Sequence, residues 1–392
     1  MTDGSRKTRL TGRIAKAAAL TIAMFLSAAL ASCAGAGVPA STARPTEKAA
    51  AQPTEAATAQ PTGEPTAKPT PEPTEKPTEA PTATPEPTYP LDERTAGNYT
   101  LKIMEFNIQA EGEGTEPPDV RGAVFRALLD ETQPDVVGLQ EATAAWYECL
   151  CRDVFNASYT DVGEPRDSGG EANYIFYRSD KFTLVEGGTF WLSATPDEPG
   201  STVENSNLPR ICTWVTLRDK TTGTEFSVLN THLDHNGNND SGKGGAVRRQ
   251  QFGYIMRFAK QLTDRPLFLT GDLNARRTNN SGEFTLLYKM VTGQTPYVDA
   301  DGTEYTLKLS DARIEAKETV PADRIACVVK YLDSNDKAYD PAREPVDYIF
   351  FSADHAEALT YDSPLYKKDG RLISDHTPLI ATFRIFDRTT GD

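Results

Sequence analysis

Between Ala34 and about Pro90 the chain is built almost entirely from Pro, Thr, Ala, Glu and Lys, with "EPT", "KPT" and "APT" recurring along it. Apart from Val38 and Tyr89 this tract holds no sizeable apolar side chain, so it cannot offset the entropy lost on ordering and is expected to stay extended. Proline at this density makes a semi-rigid, polyproline-like spacer. The tract therefore cuts the chain into three expected parts: a leader over 1–33, a linker over 34–96 and a folded domain over 97–392.

The leader opens with Arg6, Lys7, Arg9, Arg13 and Lys16 and continues into the apolar run "AAALTIAMFLSAALASC". Basic residues before a short apolar segment describe a secretory signal, too short and poorly flanked for a permanent span. Its end, "LASC" over Leu30–Cys33, resembles the lipobox of bacterial lipoproteins. That resemblance implies lipidation of Cys33, export, and attachment to the outer face of the cell membrane through a lipid anchor alone, with the linker as a stalk. A plain signal peptide with an incidental cysteine is the alternative.

Residues 1–96 carry ten basic and ten acidic side chains, so the net charge of −15 falls on 97–392. A domain that acidic argues against tight, non-specific binding of a phosphate backbone, while it suits recruitment of divalent cations. Its length is ample for one large α/β domain with a real core, expected to act as a monomer. Cys149, Cys151, Cys212 and Cys327 have no zinc-finger spacing, so a structural zinc is not expected. Three disulfide pairings remain open, beside the alternative of buried free thiols.

Along this part, short β-rich runs alternate with amphipathic ones. Tyr99–Ile108 reads as a strand with Leu101, Ile103 and Glu105 on one face and Met104 and Phe106 on the other. A helix follows over "VRGAVFRALLDET", then a buried strand in "QPDVVGLQE". Further strands are expected at Tyr174–Tyr177, Phe182–Trp191, Ile211–Leu217, Phe226–Asn230, Leu267–Thr270, Val346–Phe351 and Leu379–Ile385, with a second helix over about Ala246–Leu262. Strands interleaved with helices point to mixed sheets between helix layers.

The polar residues fall where these apolar runs end. "IMEFN" ends at Asn107, "VVGLQE" at Glu141, "FSVLNTHLDH" at Asn230, His232, Asp234 and His235, and "LFLTGDLN" at Asp272 and Asn274. "VDYIFF" begins with Asp347, and "LISDHTPL" carries Asp375 and His376. Any one of these alone is better read as a turn or cap residue. Strand ends in layered α/β folds face a common crevice, however, so together they can converge. Oxygen donors from Asn, Glu and Asp suit a hard cation: Mg²⁺, with Mn²⁺ or Ca²⁺ as alternatives. An Asp-x-Asn turn can orient and deprotonate a water, and imidazoles held by carboxylates stay charged and donate to a phosphoryl transition state. Phosphoester hydrolysis uses all of these parts.

In this order and register, "FN", "LQE", "NTHLDH", "GDLN", "VDYIF" and "SDHTPL" resemble the endonuclease/exonuclease/phosphatase superfamily, from about Tyr99 to Phe386. The resemblance implies a DNase I-like, four-layer α/β sandwich of two mixed sheets flanked by helices. It implies Glu141 as the principal metal ligand, with Asn107 and Asp375 beside it. Asp272 would activate the water and Asn274 would hold the phosphate. His376, paired with Asp347, and His232 would contact the phosphate. Tyr177 is a possible phosphate contact, or else a buried strand residue.

A closer resemblance, to a secreted bacterial branch, lies in "FWLSATP", in "PRICTW" with Arg210, and in Arg248 and Gln251. Arg210 and Arg248 are then anion contacts or structural ion pairs, and Trp191 a stacking ring or, better, core. His235 either supports the site residues from behind or lies at the rim, His355 is a surface residue, and Arg276 and Arg277 either read a second phosphate or flank the turn. There is no counterpart of the basic, aromatic insertions by which some members cut DNA.

The expected enzyme is a phosphodiesterase of nuclease type, with a phosphatase or phospholipase C-like enzyme on sugar or lipid phosphates as the alternative. A non-enzymatic surface-binding lipoprotein is disfavoured because no chemical residue is missing. The anchor reading predicts a mature chain that begins at an acylated Cys33. Mass spectrometry of membrane-associated protein should find it, and an unmodified residue 33 rejects the anchor.

Overall fold

The structure is a computed structural model, and it describes residues 99–236, 242–319 and 345–386. The expected leader and linker, Cys33 and Cys327 lie outside the described residues.

The chain builds the same unit twice. β1 (Thr100–Asn107) passes through helix α1 (Pro118–Thr132) into β2 (Val136–Gln140), which lies parallel beside it. Pro118 starts α1 at a position where its missing N–H costs nothing, and Gln133 ends it in the left-handed conformation. After α2 (Ala144–Cys149), β3 (Tyr159–Val162) and β4 (Ile175–Arg178) come three antiparallel strands: β5 (Phe182–Trp191), β6 (Ile211–Asp219) and β7 (Glu225–His232). The second unit is then β7, α3 (Lys243–Ala259) and β8 (Leu267–Asp272), again parallel. Smaller elements follow: α4 (Leu286–Val291), the hairpin β9 (Tyr297–Val298) with β10 (Glu304–Tyr305), β11 (Ser310–Asp311), α5 (Ala312–Glu315) and β12 (Glu318–Thr319). β13 (Asp347–Phe351), β14 (Ala356–Asp362) and β15 (Leu379–Ile385) complete the domain.

These strands form a seven-stranded sheet in the order β12-β14-β15-β1-β2-β4-β3 and a six-stranded sheet in the order β11-β13-β8-β7-β6-β5. Both are mixed, and helices flank them, as expected. The period-two reading of β1 holds. Leu101 and Ile103 join Val136, Val228, Phe268 and Phe383 between the sheets. Met104 and Phe106 turn the other way, onto Val124, Phe125 and Leu128 of α1. The far face of the second sheet, through Leu229 and Leu269, is covered by Phe252, Ile255 and Met256 of α3.

Between β2 and the pair β7 and β8 the contact across the sheets is polar. Asn230 of β7 donates through Nδ2 to the carbonyls of Leu139 and Tyr174 at 2.8 and 3.0 Å. Its Oδ1 accepts from Gln140 Nε2 and Thr270 Oγ1 at 2.7 and 3.1 Å. Gly138 makes room for this staple, because a Cβ there would stand 2.4 Å from Thr270 Oγ1. Asn230, which the sequence groups with the chemical residues, is thus a fastener between sheets.

The structure decides three open alternatives. Tyr177 is buried in the inter-sheet core, since its place in β4 puts it on the inward face, and it offers nothing to a substrate. Trp191 is core. Cys149, Cys151 and Cys212 are free thiols, the first and last buried, so no disulfide joins any two of them. His355 lies in the turn after β13, at the end opposite Asp347.

Phe268 is fully buried between the sheets, its ring 4.9 Å from that of Phe383. Phe268→Ala is expected to lower unfolding stability by about 3–5 kcal/mol in denaturant titration. A loss below about 1 kcal/mol contradicts this account of the core.

Candidate active site

Strand register alone brings most of the polar strand ends together. Asn107 pairs with Gln140 across β1 and β2, so Glu141 follows directly beside it. His232 pairs with Asp272 across β7 and β8, and Asp272 with Asp347 across β8 and the antiparallel β13. Both parallel units thus end at one edge of the sandwich, and β13 begins there.

The turns beyond these ends are tight. Glu141 and Asn274 have positive φ, 60° and 48°, an uncommon conformation for residues with a Cβ that favours retention only where the surroundings hold it. Gly271 has φ 149°, and a Cβ on it would meet Thr231 O at 2.1 Å. The "GD" of "GDLN" therefore requires glycine in order to lay Asp272 against β7.

Asn107 clamps two carboxylates. Its Nδ2 donates to Glu141 Oε1 at 2.9 Å and to Asp272 Oδ2 at 3.2 Å, while Oδ1 accepts the Gln109 N–H at 3.0 Å. The other Glu141 oxygen accepts from Ala110 N at 2.9 Å. Asp272 is buried, and burial followed by the charge of Asp347 pushes its carboxyl up to about 7. That is a value suited to a general base at neutral pH.

His376 Nδ1 lies 2.9 Å from Asp347 Oδ2, and its Nε2 is 4.0 Å from Asp272 Oδ2. Burial opposes protonation of this imidazole. Asp347 outweighs burial through charge and hydrogen bond, with Asp272 and Asp375 adding to it, so His376 titrates well above its ordinary value and is a cation at neutral pH. Ser374 Oγ donates to the Asn107 carbonyl at 2.6 Å, and Arg121 Nη1 to the carbonyls of Ile108 and Ile373. These bonds hold the "SDH" loop against the end of β1.

His232 behaves in the opposite way, a correction to the expectation of charged imidazoles. Burial first, then the charges of Arg210 and His376, lower it well below the ordinary histidine value, so it is neutral. Its Nε2 is 3.0 Å from Asn274 Nδ2 and 3.6 Å from Asp272 Oδ2. The other Asn274 N–H goes to Leu233 O at 3.1 Å, and its backbone N–H to Asp272 Oδ1 at 2.8 Å. Asn274 is thereby engaged in holding the base and the imidazole, and it would contact a phosphate only by exchanging one of these bonds.

Arg248 is not a substrate contact. It is buried beneath the "LDH" turn and donates to the carbonyls of Asp234 and Asn236. Arg210 does lie at the site: it is buried, and Nη2 meets His235 Nδ1 at 3.0 Å. Arg276 O accepts from Thr285 Oγ1 and Arg277 O from Thr285 N, so the backbone of this pair frames the turn before α4.

Glu141 and Asp375 offer carboxylate oxygens, the type of donor a hard divalent cation takes, while Asn107 turns its Nδ2 to Glu141 and its Oδ1 to the Gln109 N–H, so it would reach a cation only by turning its amide over. Asp375 is raised by burial, and the charge of Glu141 adds to the rise. Two carboxylates that repel each other in a half-buried place fit a bridging cation. The second acidic group, Asp272 with Asp347 and His376, is different in kind, because the imidazole already serves as the counterion.

A cation-ready oxygen site beside an acid–imidazole pair, on two packed mixed sheets, defines a hydrolase acting on phosphoesters. The chain belongs to the endonuclease/exonuclease/phosphatase family, whose sequence model matches residues 104–376, well over half of its length. Among solved structures it is similar to an endonuclease/exonuclease/phosphatase from Bacteroides vulgatus, at 26% identity over 73% of this chain and 99% of that one, with TM-score 0.57. It is also similar to a mannosyl-6-phosphatase from Bacteroides thetaiotaomicron, at 27% identity over 72% and 99% of the two chains, with TM-score 0.55. The TDP2 of D. rerio, at 17% identity over 72% and 98%, with TM-score 0.50, shares the fold. No curated protein matches the sequence significantly.

Sequence reasoning missed Arg121, Ser374, Gln140 and Arg166. None is chemically conspicuous in its own segment; Arg121, Ser374 and Gln140 gain their roles from long-range contacts, and Arg166 pairs with Asp167 and Glu171 in its own loop.

The opposed titrations give a pH prediction. Asp272 must lose its proton to act, so kcat/KM should rise as pH passes through about 7 and fall once His376 deprotonates at alkaline pH. Asp347→Asn removes the charge that raises both groups, so both limbs should move to lower pH and kcat should fall by about 10²-fold or more. An unmoved alkaline limb refutes the Asp347–His376 coupling.

Proposed function

We propose that this chain is a Mg²⁺-dependent hydrolase of phosphoesters on small molecules, exported and held at the outer face of a bacterial membrane through Cys33. The observation that carries the chemistry is the setting of Asp272. One buried carboxylate oxygen stands 3.2 Å from Asn107 Nδ2, 3.6 Å from His232 Nε2 and 4.0 Å from His376 Nε2.

Asp272 takes a proton from water, whose oxygen forms the new bond to phosphorus. The ester P–O bond breaks with its electron pair on the leaving oxygen, which takes a proton from solvent. Charged His376 donates to the phosphoryl oxygens as negative charge builds on them. Neutral His232 accepts from Asn274 Nδ2 and adds no charge beside Asp272, which is held by Asn107 Nδ2 and the Asn274 backbone N–H. Glu141 and Asp375, joined by Asn107 once its amide turns over, would hold the cation, which supplies charge stabilisation for the phosphoryl and leaving oxygens.

Small substrates are favoured over duplex nucleic acid for two reasons. The chain carries a net charge of −15. Its likeness at 27% identity to a mannosyl-6-phosphatase also moves the phosphatase reading ahead of the nuclease-type one. Among the described residues no helix is long and apolar enough to cross a membrane, so the anchor proposal rests on the lipobox-like "LASC".

Full-length protein should hydrolyse p-nitrophenyl phosphate or bis-(p-nitrophenyl) phosphate with Mg²⁺ and stop in EDTA. Asp272→Ala and His376→Ala should each lose at least about 10²-fold in kcat. A folded wild type inert on a broad phosphoester panel overturns the enzyme reading.

A further inference from the structure

Arg121 is a buried cation held without a carboxylate. It stands at the start of α1, where a positive charge opposes the helix dipole, and it is only 3% exposed. Its Nε donates to Glu116 O at 2.7 Å, and its Nη1 to Ile108 O at 2.9 Å and Ile373 O at 3.0 Å. The guanidinium carbon lies 4.7 Å from the centre of the Trp146 ring. Among the described residues no carboxylate bonds to it directly. A charge buried on such terms is unfavourable for α1 itself, so its reason must lie in what it joins.

What it joins is the backbone around the oxygen site. Ile108 directly follows Asn107, and Ile373 lies two residues before Asp375. The link to Glu141 runs through the ring. Trp146 is fully buried against the guanidinium and donates Nε1 to Gln109 O at 2.9 Å. Gln109 has φ 57°, a left-handed conformation that persists only where neighbours fix it. The next residue, Ala110, gives its N–H to Glu141 Oε2 at 2.9 Å. Arg121 and Trp146 therefore hold, from one point, the turn that grips Glu141 and the loop that carries Asp375.

We infer that Arg121, stacked on Trp146, is the positioning residue of the cation site. It fixes the Glu141 and Asp375 carboxylates relative to each other before an ion arrives, and so sets the affinity for the ion without touching ion or substrate. This rests on the divalent-cation reading above and adds what prepares the site. Groups that orient metal ligands in this way are worth about 10- to 100-fold in metal affinity. A guanidinium that merely offset the carboxylates would act with the opposite sign, because its removal would leave them more negative and Mg²⁺ would bind more tightly.

Calorimetric titration of Mg²⁺ into the metal-stripped full chain compares wild type with Arg121→Met, Arg121→Lys and Trp146→Phe. Arg121→Met should weaken Mg²⁺ binding by about 10- to 100-fold. Arg121→Lys, which can still reach one carbonyl, should recover part of that loss. Trp146→Phe keeps a ring under the guanidinium but lets go of Gln109, and should bind Mg²⁺ more weakly than wild type. Unchanged or tighter binding in Arg121→Met overturns the assignment. If Arg121→Met does not fold, the other two variants decide, and wild-type affinity in both overturns it. A wild type that binds no Mg²⁺ overturns the cation reading instead.

A kinetic split separates positioning from a general loosening of the fold. With p-nitrophenyl phosphate, the Mg²⁺ concentration giving half-maximal rate should rise in Arg121→Lys by the factor seen in calorimetry. The KM for the ester at saturating Mg²⁺ should change by less than about threefold. An ester KM that rises as much as the Mg²⁺ requirement contradicts the assignment.

Discussion

The domain is organised around negative charge buried where two sheets meet. Asp272, Asp347 and Glu105 are each essentially sealed from solvent, and Asp375 lies close by. Such a set cannot stay folded with every carboxylate ionised and unpaired. The structure resolves the conflict in three ways. Asp347 is matched by the charged imidazole of His376. Glu105 is driven well above the ordinary carboxylate range by burial and then by the charges of Asp347 and Asp272, which favours its neutral form. Glu141 and Asp375 form an oxygen site that fits a divalent cation.

That balance explains why the fold is built as it is. The charged groups must be held close while the core beneath them stays apolar. Two parallel β-α-β units ending at one edge do this, because each delivers two strand ends side by side. The polar staple of Asn230, Gln140 and Thr270 then locks the sheets together directly below the site. Apolar contacts would stabilise that junction equally well, but a hydrogen-bonded crossing fixes sheet register and hence the positions of Asn107 and Asp272.

Much of this was legible in the residues. Alternation in Tyr99–Ile108 gave both faces of β1, and the polar ends of apolar runs marked the residues that strand register later joined. Strand extents were read correctly for Leu379–Ile385 and for Phe182–Trp191, the latter despite a bulge between Leu184 and Glu186. β3 was missed because "YTDV" is short and half-buried. β14 was missed because its alternation slips at a bulge between Ala358 and Thr360. At the site, residue types were read better than their states. His232 and His376 look alike in sequence, yet one is neutral and the other charged, since only the second has a carboxylate on its ring. Tyr177 and Arg248 misled because motif position says nothing about which face of a strand or turn a side chain takes.

The central claim is that the Glu141 side of this charged cluster holds a divalent cation and the Asp272 side does not. Calorimetric titration of Mg²⁺ into metal-stripped protein tests it directly, comparing wild type with Glu141→Gln and Asp347→Asn. The account predicts one bound ion in wild type, loss of binding in Glu141→Gln, and retained binding in Asp347→Asn. Unchanged binding in Glu141→Gln, or loss confined to Asp347→Asn, would contradict it.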